Sequence, residues 1–221
     1  MIKPHDLERW WASYTRFVLY YARIAQSEGV SIYSVGSELV SMESMRSRWI
    51  ELIRKVRKVY KGKLLYSANW DHYEPVSFWD QVDYVGVTGY YKLTDRVDPT
   101  PDQLEKAWRA IRSKLERWRS RVKRPLVFTE LGYHSRDGTN KHPWDYTTTA
   151  PIDLQEQYDC YDAFVRTWNG ASSLGGVYFW IWWGPGGPSD GHYTPRGKPA
   201  VEVLRHYYGA PRRPIQRPGE K

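Results

Sequence analysis

Five short apolar runs alternate with longer amphipathic segments along almost the whole chain, and this alternation constrains the fold more than any other feature. The runs lie at residues 30–37, 63–70, 82–90, 125–131 and 177–183. An apolar run of four to eight residues between turn signals reads as a buried strand, and apolar residues recurring every three or four positions read as a helix. That periodicity predicts helices over 6–28, 41–60, 98–120, 152–169 and 198–208, with only a short helical turn at 76–81. In the first helix Trp10, Tyr14, Phe17, Val18, Tyr21, Ala22 and Ala25 make the apolar face, and Gly29 ends it. Strand and helix in strict succession imply a parallel sheet covered by helices. An open doubly wound sheet and a barrel both satisfy the pattern. No Gly-x-Gly-x-x-Gly follows any strand, which leaves a dinucleotide site unsupported. Polar and aromatic residues close several different strands, as they do at the catalytic face of a barrel.

Two of the runs end in an acid. Pro125-Leu-Val-Phe-Thr-Glu130-Leu-Gly132 is one, and Ser31-Ile-Tyr-Ser-Val-Gly-Ser-Glu38 is the other. In the latter, a two-residue period puts Tyr33 and Val35 on one face and Ser34, Gly36 and Glu38 on the opposite one. Two strands of a barrel can aim their terminal residues at one centre, and glycoside hydrolysis needs two carboxyls. One protonates the leaving oxygen, and the other attacks the anomeric carbon or activates water. The bland alternative is a strand-end carboxylate paired with an arginine.

The chain carries 12 Trp and 18 Tyr, enough to fill a core and leave a surplus that can stack on sugar rings. Trp70, Tyr90, Tyr91, Trp180, Trp182 and Trp183 lie at or beyond expected strand ends, with Trp180 and Trp182 in phase. Tyr91 and Trp183 fit core packing equally well. Tyr90, in phase with Gly86 and Thr88, is the candidate to bond a nucleophilic carboxylate and hold it ionised, since hydrogen bonds to a charged form favour that form. His5 and His134 follow strand-like stretches and are candidates for substrate contact. His72, His142, His192 and His206 read as surface or structural, and no metal-ligand spacing occurs. The single cysteine, Cys160, excludes an internal disulfide and reads as buried packing. There is no Gly-x-Ser-x-Gly turn and no phosphate loop. The loop at 132–150 is long enough to read as functional.

A net charge of +8 raises the question of nucleic acid. However, Arg54, Lys55, Arg57, Lys58 and the arginines and lysines of 109–124 fall on the polar faces of expected helices, so a solvated helix surface is the preferred account and no specific nucleic-acid partner is expected. With 26% charged residues and apolar runs well short of the ~20 residues of a membrane helix, a soluble protein without a membrane partner is expected. The N-terminal residues lack a secretory apolar segment. Compartment and oligomeric state are left open.

Val-Gly-Ser-Glu-Leu at 35–39, Tyr-Ser-Ala-Asn-Trp at 66–70, Phe-Trp-Asp at 78–80, Asp-Tyr-Val-Gly-Val-Thr-Gly-Tyr-Tyr at 83–91, Phe-Thr-Glu-Leu-Gly-Tyr-His-Ser at 128–135 and Gly-Lys-Pro-Ala at 197–200 together resemble glycoside hydrolase family 113. The resemblance implies a (β/α)8 TIM barrel, a retaining double displacement and β-1,4-mannanase activity without a cofactor or metal. It implies Glu38, after the fourth strand, as acid/base and Glu130, after the seventh, as nucleophile. Ser37 stands where the wider clan often carries Asn. His5, Asn69, Trp70, Tyr90, Trp180 and Trp182 are expected to bind the oligosaccharide or polysaccharide substrate. A complete barrel of this kind needs about 250 residues. By the resemblance, Ile2-Lys-Pro-His5 is the end of the third strand, so residues 1–208 are expected to form an N-terminally truncated barrel of strands four to eight, with a Pro- and Arg-rich tail at 209–221. A non-catalytic carbohydrate-binding or structural barrel fragment, including a phage-tail type of barrel domain, is the competing expectation.

Overall fold

The computed structural model of the protein describes residues 2–209. Its elements are α1 (Leu7–Ser27), β1 (Ile32–Ser37), a 3₁₀ turn (Val40–Met42), α2 (Arg46–Val59), β2 (Lys63–Ala68), a second 3₁₀ turn (Trp79–Gln81), β3 (Tyr84–Thr88), α3 (Pro101–Val122), β4 (Leu126–Leu131), α4 (Leu154–Trp168), β5 (Leu174–Phe179) and α5 (Ala200–Gly209). The strands form one five-stranded sheet in sequence order, and β1, β2 and β3 pair in parallel. Parallel neighbours need a crossover connection, and the intervening segments supply it. The tail expected from residue 209 lies, beyond Gly209, outside the described residues.

Local chemistry sets the helix ends. Asp6 caps α1 by accepting the Arg9 amide at 2.9 Å, and Gly29, at φ +64°, takes the left-handed position that commonly closes a helix. Thr100 and Gln103 bond each other's amides reciprocally at the start of α3, a capping box. Asp153 caps α4 through the Glu156 amide. The α2 face follows the sequence pattern, with Trp49, Leu52, Ile53 and Val56 all buried. The buried stripe of α1 is narrower than its periodicity suggests. Trp11, Val18, Ala22 and Ala25 are buried, whereas Phe17 and Tyr21 are exposed.

The last strand begins earlier than its composition indicates. Gly175 and Gly176 look like a break but lie inside β5, and the Trp-rich run falls beyond the strand end at Phe179. A missing side chain weakens a strand without preventing its ladder bonds. The two-residue period therefore does not govern Trp180 and Trp182.

Among the described residues the chain divides into two compact units, residues 2–88 with 119–127 and residues 89–118 with 128–209. The core of the first centres on Trp49, which stacks on Phe78 at 4.5 Å and meets Tyr66 and Trp11 edge-on at 5.2 and 5.3 Å. In the second, Trp108 meets Phe164 at 5.1 Å and Phe128 at 5.9 Å, and its indole N–H donates to Tyr133 Oη at 3.0 Å. Trp11, Trp49, Trp79, Trp108, Trp118 and Trp168 are buried, so half of the tryptophan content serves packing and only the remainder can signal a ligand. Cys160 is buried as well.

Many basic side chains of the helices are laced with carboxylates, as in Lys55–Glu51, Arg57–Asp83, Arg109–Glu105 and Arg112–Glu116. Such pairs, at or near the surface, add little stability. No helix among the described residues is long and apolar enough to cross a membrane.

Candidate active site

In the first unit, Glu38 is the residue immediately past β1. The pairing of β1 with β2 slips between Ser34 and Ser37, so a strict two-residue period cannot be carried from Ser34 to Glu38. Glu38 instead turns out of the strand at φ +53°, a left-handed conformation uncommon for residues other than glycine. Its amide still donates to the Ser67 carbonyl at 2.8 Å. Its side chain is reached from β3, where the buried Thr88 hydroxyl donates to Glu38 Oε1 at 3.1 Å. The same hydroxyl oxygen accepts the Trp70 amide, also at 3.1 Å. Thr88 thus spends its one proton on the carboxylate while a backbone amide fixes its orientation.

In the sequence Thr88 serves only to set the phase of Tyr90, and its contact with Glu38 is not among the expectations drawn from it. The available signal was a hydroxyl residue closing an otherwise apolar strand. Asn69 and Trp70 follow β2 directly and are half-buried, and His5 lies exposed ahead of α1. The side chains of His5 and Asn69 take no part in the Thr88–Glu38 group.

In the second unit, Glu130 is half-buried near the end of β4. Tyr90, two residues past β3, donates its hydroxyl to Glu130 Oε2 at 2.9 Å. Burial and the adjacent Glu130 charge push the Tyr90 hydroxyl well above its ordinary range, so it stays a donor at any ordinary pH. Gly89 makes this approach possible. Its amide donates to the Glu130 carbonyl at 2.6 Å, and a β-carbon there would come within 2.6 Å of the Leu131 side chain and 3.0 Å of the Glu130 carbonyl oxygen. The Trp180 amide donates to the Leu131 carbonyl. A β-carbon at Gly132 would lie 2.3 Å from the Trp180 carbonyl oxygen, so β4 and the end of β5 can meet here only around a glycine. Trp180 and Trp182 are 40% and 57% exposed, as an aromatic platform for a ligand must be.

The loop following β4 is built rather than loose. Buried Glu156 accepts the amides of Gly138 and Asn140 and the Asn140 side-chain amide at 2.6–2.9 Å. Asn140 Oδ1 in turn accepts the Thr94 hydroxyl from the loop after β3. Lys198, fully buried, donates to Ser135 Oγ and the His192 carbonyl at 2.8 Å and sits 3.6 Å from Asp190. A buried lysine is tolerated only with such partners.

His134, a candidate for substrate contact, is only 3% exposed, and its Nε2 lies 3.3 Å from the His142 carbonyl. Burial holds its pKa below the ordinary 6.5. The unfolded chain therefore binds the proton first as pH falls, so the stability His134 contributes is complete above about 6.5 and is lost as pH drops toward the folded value. Glu43 and Glu156, raised above 4.5 mainly by burial, act in the opposite direction. Chemical denaturation between pH 7.5 and 5 is expected to show a smaller loss of stability in His134→Asn than in the wild type. Parallel slopes would show that His134 is not the group responsible.

Among the described residues no group of three or more His, Cys, Asp or Glu is arranged to hold a metal. The chemistry on offer is that of two carboxylates at strand ends, each receiving a hydroxyl proton from a neighbour in its own unit.

The sequence profile of Glycoside Hydrolase Family 113 matches residues 2–186. No curated protein matches the chain. Among solved structures, a complex of a GH113 β-1,4-mannanase superposes with a TM-score of 0.83 at 28% identity, over 96% of this chain and 67% of its own. The GH113 β-mannanase AaManA from Alicyclobacillus acidocaldarius, in complex with ManMIm, does so with a TM-score of 0.81 at 30% identity, over 92% and 63%. A β-glucuronidase from Faecalibacterium prausnitzii, at 13% identity and a TM-score of 0.67, shares the fold alone. The chain spans about two thirds of the length of the mannanases it matches, and its strand–helix units are those of a partial (β/α)8 barrel. With its profile match covering most of the sequence, the chain belongs to glycoside hydrolase family 113.

Proposed function

We propose that the protein hydrolyses β-1,4-linked mannan with retention of anomeric configuration. Glu130 attacks the anomeric carbon. Glu38 protonates the departing glycosidic oxygen and then takes a proton from the water that releases the sugar from Glu130. One observation carries the assignment of the nucleophile: the Tyr90 hydroxyl donates to Glu130 Oε2 at 2.9 Å. A nucleophilic carboxylate must be ionised and aimed, and a donor that never loses its proton near neutral pH favours both. The substrate class comes from the family and from the β-1,4-mannanases the chain is similar to. His5, Asn69, Trp70, Trp180 and Trp182 are the proposed sugar contacts, the tryptophans as stacking faces. No cofactor enters the mechanism.

The test is hydrolysis of β-mannan with the anomeric form of the first product read by NMR. Release of the β-anomer first supports the double displacement, and release of the α-anomer overturns it. Binding of manno-oligosaccharide without turnover would instead favour a carbohydrate-binding barrel fragment. Tyr90→Phe removes one hydrogen bond to a charged group, an interaction of about 1.5–3 kcal/mol. Steady-state kinetics are expected to show kcat lowered about 10- to 100-fold by that change. Unchanged turnover would mean that Tyr90 does not serve the nucleophile.

A further inference from the structure

Behind Glu38 lies a second carboxylate to which the proposed mechanism gives no task. Glu43 follows the 3₁₀ turn Val40–Met42 and is 2% exposed. Its Oε1 accepts the Tyr66 hydroxyl at 2.6 Å. Tyr66 projects from β2 and is itself fully buried. Having given its only proton to Glu43, the Tyr66 oxygen is left with lone pairs, and it accepts the Leu39 amide at 2.9 Å. That N–H belongs to the peptide joining Glu38 to Leu39, the peptide by which the chain leaves the left-handed position at φ +53°.

Other bonds make the same frame rigid. The Ser77 hydroxyl donates to the Glu43 carbonyl at 2.8 Å, and the Trp49 indole donates to the Met42 carbonyl at 2.8 Å. The ionisable groups facing Glu43 are Tyr66 from β2, His72 from the loop after it, 3.6 Å from Oε2, and Glu38. Among the described residues Oε2 has no hydrogen-bond partner. A carboxyl this deeply buried and only half satisfied costs stability.

We propose that Glu43 is a positioning residue for Glu38: acting through the Tyr66 hydroxyl, it locks the Glu38–Leu39 peptide and so aims the proton donor at the leaving oxygen. This rests on the assignment of Glu38 as acid/base. The order of the chain, from Leu39 N–H to Tyr66 O–H to Glu43 carboxyl, dictates which substitutions matter. Tyr66→Phe and Glu43→Ala break it. Glu43→Gln keeps an acceptor oxygen and preserves it.

The experiment compares two substrates for each variant: β-mannan, whose leaving group needs a proton, and an aryl β-mannoside with an activated leaving group, whose departure needs none. Misplacement of a catalytic group by about 1 Å costs up to about 10²-fold, so Tyr66→Phe and Glu43→Ala are expected to lower kcat/KM on mannan by up to that factor. On the aryl mannoside they are expected to leave it within about twofold of wild type. Glu43→Gln is expected to recover most of the mannan activity. Should Glu43→Ala fail to fold, Tyr66→Phe, which removes only a hydroxyl, carries the comparison. Equal losses on both substrates, or no loss on either, would overturn the role given to Glu43. Glu38→Ala run alongside separates the two claims. If it splits the substrates while Tyr66→Phe and Glu43→Ala do not, Glu38 stands as acid/base and the positioning role falls. If Glu38→Ala itself shows no split, the acid/base assignment is what fails.

Discussion

Glu130→Gln is expected to reduce hydrolysis to background, on the activated aryl mannoside as well as on β-mannan. The amide is close in shape to the carboxylate but cannot form the covalent glycosyl intermediate, so no leaving group rescues it. Glu38→Gln is expected to behave differently. General acid catalysis contributes about 10²–10⁴-fold, and that is the loss expected on mannan. On the aryl mannoside the glycosylation step should proceed, and the glycosyl-enzyme should accumulate because water is no longer activated. A burst of aryl alcohol followed by slow turnover is the kinetic sign of this, and mass spectrometry of the quenched enzyme should find the adduct. Wild-type turnover in either variant would refute the assignment of that residue.

The largest structural effect is expected at Trp49. Its indole is fully buried against Phe78, Tyr66 and Trp11, and its N–H satisfies the Met42 carbonyl. Trp49→Ala forfeits the packing, about 3–5 kcal/mol for a large aromatic. It also leaves a buried carbonyl unpaired, a further cost of about 1–3 kcal/mol. Set against a total stability of about 5–15 kcal/mol, this removes much of the margin. The thermal midpoint is expected to fall by roughly 10 °C or more. Trp49→Phe keeps most of the contact area and loses only the donor, so its cost should be the smaller part. A midpoint unchanged in Trp49→Ala would show that this aromatic cluster does not hold the first unit together.

The succession of elements was legible because burial on both faces leaves a plain mark on parallel strands. The run at 125–131 stands between polar residues and a glycine, and it is β4 to within one residue. Trp49, Leu52, Ile53 and Val56 recur at helical spacing and form the buried face of α2. Apart from the Tyr90–Glu130 bond, which the phase of Tyr90 in its strand anticipates, the hydrogen-bond partners of the candidate site were not legible, since each depends on an encounter between remote segments. Thr88 reaches Glu38 across 50 residues, Tyr66 reaches Glu43 across 23, and Lys198 reaches Ser135 across 63. A lysine or glutamate in a polar stretch carries no local sign that it will be buried. Nor does Ser-Val-Gly-Ser announce the slip in register before Glu38. The start of β5 was obscured by a Gly-Gly pair that usually punctuates structure.

The left-handed backbone at Glu38 bears on how this sequence could drift. Any side chain with a β-carbon pays roughly 1–2 kcal/mol in that conformation, and glycine almost nothing. A lineage retaining the fold but released from catalysis would gain by moving position 38 to glycine, or to asparagine, which tolerates the region better than most residues. Folding alone thus selects against the glutamate found there. Its presence supports the acid/base role proposed for it, since local costs of this kind accumulate where chemistry, rather than stability, chooses the residue.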